Sequence, residues 1–187
     1  MAIAAALCLA VAAPAAVAQE SDGAETPAET ADLDTLLQQL QDADDAAAGA
    51  IEEKIYRIWS RSGSAAMDLL FQRGKEALEA GEFAAAIEHF GAAIDHAPDF
   101  AEAYNGRAAA FFQLREFGLA VADIQHVLAL NPQHFGALEG LGYILLELGD
   151  KENALVAFKA AQALNPHRTG TNESVERLEK ELNDTAL

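Results

Sequence analysis

The chain has 187 residues, and its 30 acidic and 12 basic side chains give a formal net charge of −18. A chain this acidic repels nucleic-acid phosphates and anionic lipid, so we expect no nucleic-acid partner and a protein or peptide partner that is neutral to basic. Charge of either sign also keeps a protein soluble, so composition alone leaves the role of the acidity open.

The first 18 residues carry no charged side chain and end in Ala16-Val17-Ala18, directly before Gln19. An apolar N-terminal run with an A-x-A site predicts a secretory signal peptide, although no lysine or arginine precedes the run. We therefore expect secretion across the inner membrane into the periplasm, with no stable membrane insertion after cleavage. The alternative is an uncleaved anchor. Cys8, the single cysteine, lies in this segment, so the mature chain would have neither disulfides nor thiol catalysis.

The next two segments differ in apolar content. Residues 19–31 are acidic and poor in bulky side chains, which predicts a disordered linker. Residues 32–62 carry apolar residues at helical spacing, which predicts a degenerate N-terminal helical pair. We expect Trp59, the only tryptophan, to pack this pair onto the following unit as an additional repeat. The residues at helical spacing are Leu33, Leu36, Leu37, Leu40, Ile51, Ile55 and Ile58.

A repeat of 34 residues follows this pair. Prolines recur at this period, and so do alanines and small residues at two other positions. A common period in three residue types indicates a repeat architecture. We therefore predict three copies of one helix–turn–helix unit, at 67–100, 101–134 and 135–168. The recurring residues are Pro98, Pro132 and Pro166; Ala86, Ala120 and Ala154; and Gly74, Ala108 and Gly142.

Each copy places small residues where its two helices must approach closely, as with Ala108 and Ala120 in the middle copy. Gly81 and Gly149 supply the turns of the first and third copies, whereas Arg115 stands at that place in the middle copy. Residues 171–187 have a narrow apolar stripe and a charged outer face, which is typical of a capping helix that closes such an array.

The repeat resembles the tetratricopeptide repeat (TPR) family in its small residue at position 8, alanine at 20 and proline at 32. The resemblance implies an all-α solenoid of antiparallel helix pairs that forms a right-handed superhelix. It covers residues 67–166. Arg73 and Arg107 depart from the family pattern, which has leucine there, and Lys151 stands where an aromatic residue is usual.

The resemblance also implies a binding site, because TPR proteins line a concave groove with the first helix of each repeat. Aromatic residues would anchor apolar side chains of a peptide, Asn105 would bond its backbone, and carboxylates would select basic residues. The groove positions are Asp68, Phe71, Lys75, Leu78 and Glu79; Glu102, Asn105, Ala109, Phe112 and Gln113; and Gly136, Glu139, Tyr143, Leu146 and Glu147.

One family binding mode fits this sequence poorly. TPR proteins that hold a C-terminal carboxylate use several Lys, Arg and Asn side chains together. Of these, only Lys75 is matched, and Gly136 and Gly140 occupy positions where basic residues would be needed.

The sequence shows no phosphate-binding glycine loop, nucleophile elbow or paired metal-binding cysteines. No two histidines have helical metal-ligand spacing, although His134 and His167 fall at adjacent repeat positions, where they would come within reach of each other. We therefore predict a non-enzymatic adaptor or scaffold without cofactor or metal. The alternatives are a metal-linked or hydrolytic accessory protein and a self-associating structural protein; the oligomeric state stays open.

Overall fold

The computed structural model describes residues 27–185, and their secondary structure is helical throughout. None of the helices in this part of the chain is long and apolar enough to cross a membrane. The predicted signal peptide and most of the predicted linker lie outside the described residues. The described helices are α1 (Pro27–Asp42), α2 (Asp45–Trp59), α3 (Ala65–Glu79), α4 (Phe83–His96), α5 (Ala101–Gln113), α6 (Phe117–Leu130), α7 (Phe135–Glu147), α8 (Lys151–Leu164) and α9 (Thr169–Thr185).

The helices α3 to α8 form a solenoid in which each helix packs against the next. Each predicted copy contains one pair: α3–α4, α5–α6 or α7–α8. The turn inside each pair requires a left-handed residue, with φ of 76° at Gly81, 60° at Arg115 and 80° at Gly149. The middle turn therefore adopts the same left-handed conformation without a glycine. For an L-residue this conformation is strained by about 1 kcal/mol.

Phenylalanines of the second helices pack into the glycines of the first helices. A Cβ atom built on Gly74 would lie 2.6 Å from Phe90, and one on Gly106 would lie 2.5 Å from the same ring. Phe90 is completely buried, so it joins α4 to both α3 and α5. Phe158 contacts Gly142 in the same way in the last pair, with a Cβ separation of 2.7 Å. Because these glycines have no side chain, the phenylalanine rings can pack directly against the backbone of the first helices, and this contact sets the spacing between the helices.

The helix α9 covers the open end of the solenoid, as the apolar stripe predicted. Val175 and Leu178 are buried and join Phe158 in one cluster. Lys151, which replaces the usual aromatic residue, forms an ion pair with Glu181 of α9 at 2.8 Å. The last pair therefore has an apolar and a polar connection to its cap.

Arg107, which stands where the family has leucine, connects α5 to α6 through a bidentate ion pair. Its Nε and Nη2 atoms donate to Asp123 at 2.8 Å each. This hydrogen bonding raises the pKa of Arg107 above its usual value, although burial opposes the shift. The departure from leucine thus replaces an apolar contact by a largely buried, paired charge.

The N-terminal hairpin, formed by α1 and α2, is not stacked as an additional repeat. Its helix α1 packs against α8. Trp59 stacks on His134 at 4.3 Å and contacts Phe135 at 5.1 Å, so it lies at the start of the third helix pair. Our prediction that Trp59 packs onto the first pair is therefore wrong. The helix α1 also begins at Pro27, so it includes the last five residues of the predicted linker 19–31.

The hairpin docks on later turns because those turns offer polar partners. Asn165 and Arg168, which end the third copy, bind hairpin side chains. The equivalent positions of the first copy are Ala97 and Phe100, which have no polar side chain. Phe100 instead packs against Phe71 at 5.1 Å, inside the first pair. Differences between nominally equivalent repeat positions thus decide where the hairpin docks.

Candidate functional site: a cleft between the solenoid and the hairpin

The first helices α3, α5 and α7 line a cleft of about 450 Å³. Phe90 and Ile124 of the second helices contribute to its floor, and Tyr56 and Ser60 of the hairpin contribute a side wall. The cleft is thus bounded by the solenoid on one side and by α2 on the other. Clefts of this size and mixed lining are typical of sites for small ligands or short peptide segments.

Most of the predicted groove residues meet in this cleft. They come from the first helices of all three helix pairs. The predicted residues that line the cleft are Phe71, Lys75, Leu78, Glu102, Asn105, Ala109, Phe112, Gln113, Gly136, Glu139 and Tyr143.

Four predicted groove residues lie outside the lining of the cleft, and three of them have other partners. Asp68 accepts hydrogen bonds from the backbone N–H and the hydroxyl of Ser62, at 2.8 and 2.6 Å. Glu147 pairs with Arg115 at 3.0 Å. Leu146 packs in the cluster beneath α9, and Glu79 is exposed.

The three aromatic residues of the predicted groove differ in accessibility. Phe71 is only 3% exposed and packs on Phe90 and Phe100, so it is a core residue that also lines the cleft wall. Phe112 is half-buried, with Phe117 at 5.8 Å. Tyr143 is 37% exposed, and its ring meets Phe158 edge-on at 5.0 Å. Tyr143 is therefore the most accessible aromatic anchor of the three.

The Glu102 carboxylate in the cleft wall is already bonded within the chain. His134 Nδ1 accepts the Ala137 backbone N–H at 3.0 Å, so His134 Nε2 carries the hydrogen and donates to Glu102 Oε1 at 2.9 Å. The His134 and Glu102 side chains are both buried. Asn105 Nδ2 makes a long contact of 3.4 Å with Glu102 Oε2. A basic ligand could bind Glu102 only by competing with these bonds.

Glu139 is satisfied in a similar way by residues that follow α8. Arg168 Nη2 lies 2.8 Å from Glu139 Oε2, and the Thr171 hydroxyl donates to Oε1 at 2.7 Å. The two carboxylates that line the cleft are therefore both engaged. Lys75 also lines the cleft; it lies 5.9 Å from the centre of the Phe71 ring and has no ion-pair partner among the described residues. The accessible charge of the cleft is thus cationic.

Nine lining residues were not among the predicted groove positions, and three of them lie outside the helix pairs: Tyr56, Ser60 and Arg168. Arg168 Nη1 donates to the Tyr56 hydroxyl at 3.1 Å and to Glu52 Oε1 at 3.1 Å. Burial raises the pKa of Tyr56 to about 12, although Arg168 opposes the shift. No periodic pattern identifies these residues, because Arg168 lies more than 100 positions from the two hairpin residues and meets them only through tertiary docking.

The two histidines at adjacent repeat positions have separate partners. His134 binds Glu102, whereas His167 contacts Asp45 Oδ1 at 2.8 Å and the Leu40 carbonyl at 3.0 Å. Within residues 27–185, no group of three or more His, Cys, Asp or Glu side chains could hold a metal ion.

Comparison with known proteins agrees with the repeat. The tetratricopeptide repeat model matches residues 71–125 and 110–168. The chain belongs to the TPR family. A TPR repeat-containing protein of Rhizobium etli is 35% identical over 151 residues, which cover 80% of this chain and 74% of that protein. The Hsp70-Hsp90 organizing protein of Triticum aestivum is 34% identical over 98 residues, which cover 52% of this chain but only 17% of that protein.

Solved TPR structures share the fold. The first TPR of Spaghetti (RPAP3), bound to the HSP90 peptide SRMEEVD, superposes with a TM-score of 0.60 at 22% identity, covering 63% of this chain and 93% of that one. At this identity the likeness establishes the all-α TPR solenoid. The TPR domain in that structure is bound to a peptide.

Proposed function

We propose that this chain is a non-enzymatic adaptor of the bacterial periplasm that holds a short segment of a partner protein in its cleft. The observation that carries the proposal is the cleft itself, because it brings accessible groove residues from all three helix pairs together. Peptide binding by a related TPR domain supports the same role.

The chemistry of the cleft favours a neutral segment with an apolar side chain. Tyr143 and Phe112 offer aromatic surface, and Asn105 can bond a peptide backbone. Lys75 favours a carbonyl or carboxylate oxygen, whereas Glu102 and Glu139 are already bonded. The net charge of −18 acts at longer range and favours a partner that is neutral to basic as a whole.

Site-specific photo-crosslinking in the source bacterium tests this proposal. A photoreactive phenylalanine analogue replaces Tyr143 in the cleft, and the same analogue at Val156, which is 66% exposed outside the cleft lining, is the control. We expect a discrete adduct with one protein from position 143 only. Adducts of equal yield at both positions, or none at 143, would contradict the proposal.

Variants then identify the contacts. Lys75→Ala, Asn105→Ala and Tyr143→Ala together should abolish capture of the crosslinked protein, with Leu119→Ala as the exposed control outside the cleft lining. Phe71 is left unchanged because its truncation would open a cavity in the core.

The proposed location follows from the A-x-A pattern before Gln19. The exported protein should be released by osmotic shock, and its mass should correspond to a chain that begins at Gln19. Recovery with the cytoplasmic fraction would contradict the location but not the adaptor role.

A further inference from the structure

The N-terminal hairpin has a hydrophobic core of its own. The four leucines of α1 pack with Ala48 and Ile55 of α2, and only Phe135 and Leu164 of the solenoid join this cluster. The cores of the helix pairs form other clusters. Most apolar contacts of the hairpin are therefore made between α1 and α2, and few are made with the solenoid.

The hairpin rests on a defined surface, which we call the helix seat: His134, Phe135, Asn165 and Arg168. Three residues of α2 contact it. Trp59 stacks on His134, Tyr56 meets Phe135 edge-on at 5.5 Å, and Glu52 accepts from Asn165 Nδ2 at 2.7 Å and from Arg168 Nη1 at 3.1 Å.

The helix seat matches these three side chains in polarity and in shape. Asn165 and His134 are completely buried polar residues. Gly136 leaves room above its backbone, since a Cβ there would lie 2.5 Å from the Tyr56 hydroxyl. Glu52, Tyr56 and Trp59 follow each other at i, i+4 and i+7, so they present one face of a helix. The geometry is that of a helix bound in a groove.

Two features favour detachment of this helix. The Trp59 indole N–H is buried and has no hydrogen-bond partner in the described structure, and an unsatisfied buried donor weakens docking. The connection to α3 is short, and its hydrogen bonds divide it at one link. The Arg61 N–H donates to the Ile58 carbonyl of α2, whereas the Ser62 N–H donates to Asp68 of α3. The hairpin can therefore swing about the link between Arg61 and Ser62 without breaking the hydrogen bonds that hold Ser62 to α3.

We propose that the helix seat is an interaction surface for an amphipathic helix that bears a carboxylate, a tyrosine and a tryptophan at i, i+4 and i+7, and that α2 is its detachable occupant. In the isolated chain α2 fills the seat in cis. When α2 leaves, the same seat accepts a helix of this chemistry in trans. This inference does not rest on the identity of the cleft ligand.

A peptide of residues 32–60, labelled with fluorescein, tests the proposal by fluorescence anisotropy. An opened variant carries Glu52→Ala, Tyr56→Ala and Trp59→Ala, which leave the seat intact. The matched control carries Glu53→Ala, Lys54→Ala and Arg57→Ala on the exposed face of the same helix. Because the tethered helix competes at a high effective concentration, only the opened variant should bind strongly.

We expect saturable binding to the opened variant, at least about tenfold tighter than to the wild type or the matched control. An unlabelled peptide with Tyr56→Ala and Trp59→Ala should fail to compete. Equal binding to all three proteins, or effective competition by the altered peptide, would overturn the proposal.

Hydrogen exchange of the unmodified wild-type chain supplies an independent measurement that does not depend on peptide folding. Amides of α2 should exchange at least about 100-fold faster than those of α5 and α6, because the hairpin opens without the solenoid. Equal protection of α2 and α6 would show that the hairpin leaves only on global unfolding, and would overturn the proposal whatever the peptide does.

Discussion

The solenoid and the N-terminal hairpin are held by different kinds of contact. In α3 to α8, consecutive helices interlock through buried rings and glycines, as Phe90 does with Gly74 and Gly106. Through Glu52 and Tyr56 the hairpin reaches Asn165 and Arg168, more than 100 positions away, and through Trp59 it stacks on His134. These contacts are mostly polar and aromatic. The comparison teaches that a repeat propagates by local packing, whereas a docked element depends on a few specific partners.

The largest effect should come from the ring that joins three solenoid helices. Phe90→Ala should lower the free energy of unfolding by about 3–5 kcal/mol, because the buried ring has no replacement in the α3–α5 contact. Chemical denaturation measures this loss. Leu119→Ala, at a side chain that is 51% exposed, should stay within about 0.5 kcal/mol of the wild type, and an equal loss in both variants would contradict this account.

A methyl group at a close-packed glycine should be the next most damaging change. Gly106→Ala should cost about 1–3 kcal/mol, because the new Cβ would lie 2.5 Å from Phe90. Gly140→Ala is the matched control, since its Cβ would lie 3.6 Å from Ile124 in ordinary contact. That change should be neutral or stabilise the protein by up to about 1 kcal/mol. Identical effects at both glycines would show that helix propensity, not packing, decides the outcome.

Alkaline pH should act on the hairpin. The docked chain holds the Tyr56 proton more tightly than the undocked chain, because burial raises the pKa of Tyr56 to about 12. The contribution of Tyr56 to the stability of the docked state is therefore complete below pH 10 and is lost as the pH rises towards about 12. The loss is on the order of 2 kcal/mol. Emission of Trp59, the only tryptophan, reports undocking.

The comparison variant for this titration is Tyr56→Phe, which keeps the ring contacts without the ionisable hydroxyl. The wild type should lose stability relative to Tyr56→Phe between pH 10 and about 12. Parallel pH profiles of the two proteins would rule out this role for Tyr56.

The smallest effect should come from the middle turn of the solenoid. Arg115→Gly should stabilise the protein by about 0.5–1 kcal/mol, because glycine removes the strain at a φ of 60°. The exposed pair with Glu147 that is lost contributes little. Gly149→Ala, at the equivalent position with a φ of 80°, should have the opposite sign. Thermal unfolding of the two variants tests whether backbone strain or the ion pair dominates.

Much of the solenoid could be predicted from the sequence. The period of Pro98, Pro132 and Pro166 indicates the helix pairs, and the apolar stripe of Val175 and Leu178 indicates the cap. Most cleft residues also followed from their repeat positions. The roles of the cleft carboxylates did not follow, because Glu102 and Glu139 are bonded by the residues that end their own copies, His134 and Arg168.

The sequence by itself determined which segments are helices and in what order they stack, because a repeating pattern of apolar and small residues acts between neighbours. Only the tertiary structure decided where the N-terminal hairpin docks and which charges of the cleft stay accessible. The physical reason is that Trp59 and His134, or Tyr56 and Arg168, share no period. Their contacts depend on the shape of the assembled solenoid, which brings distant turns to the same edge.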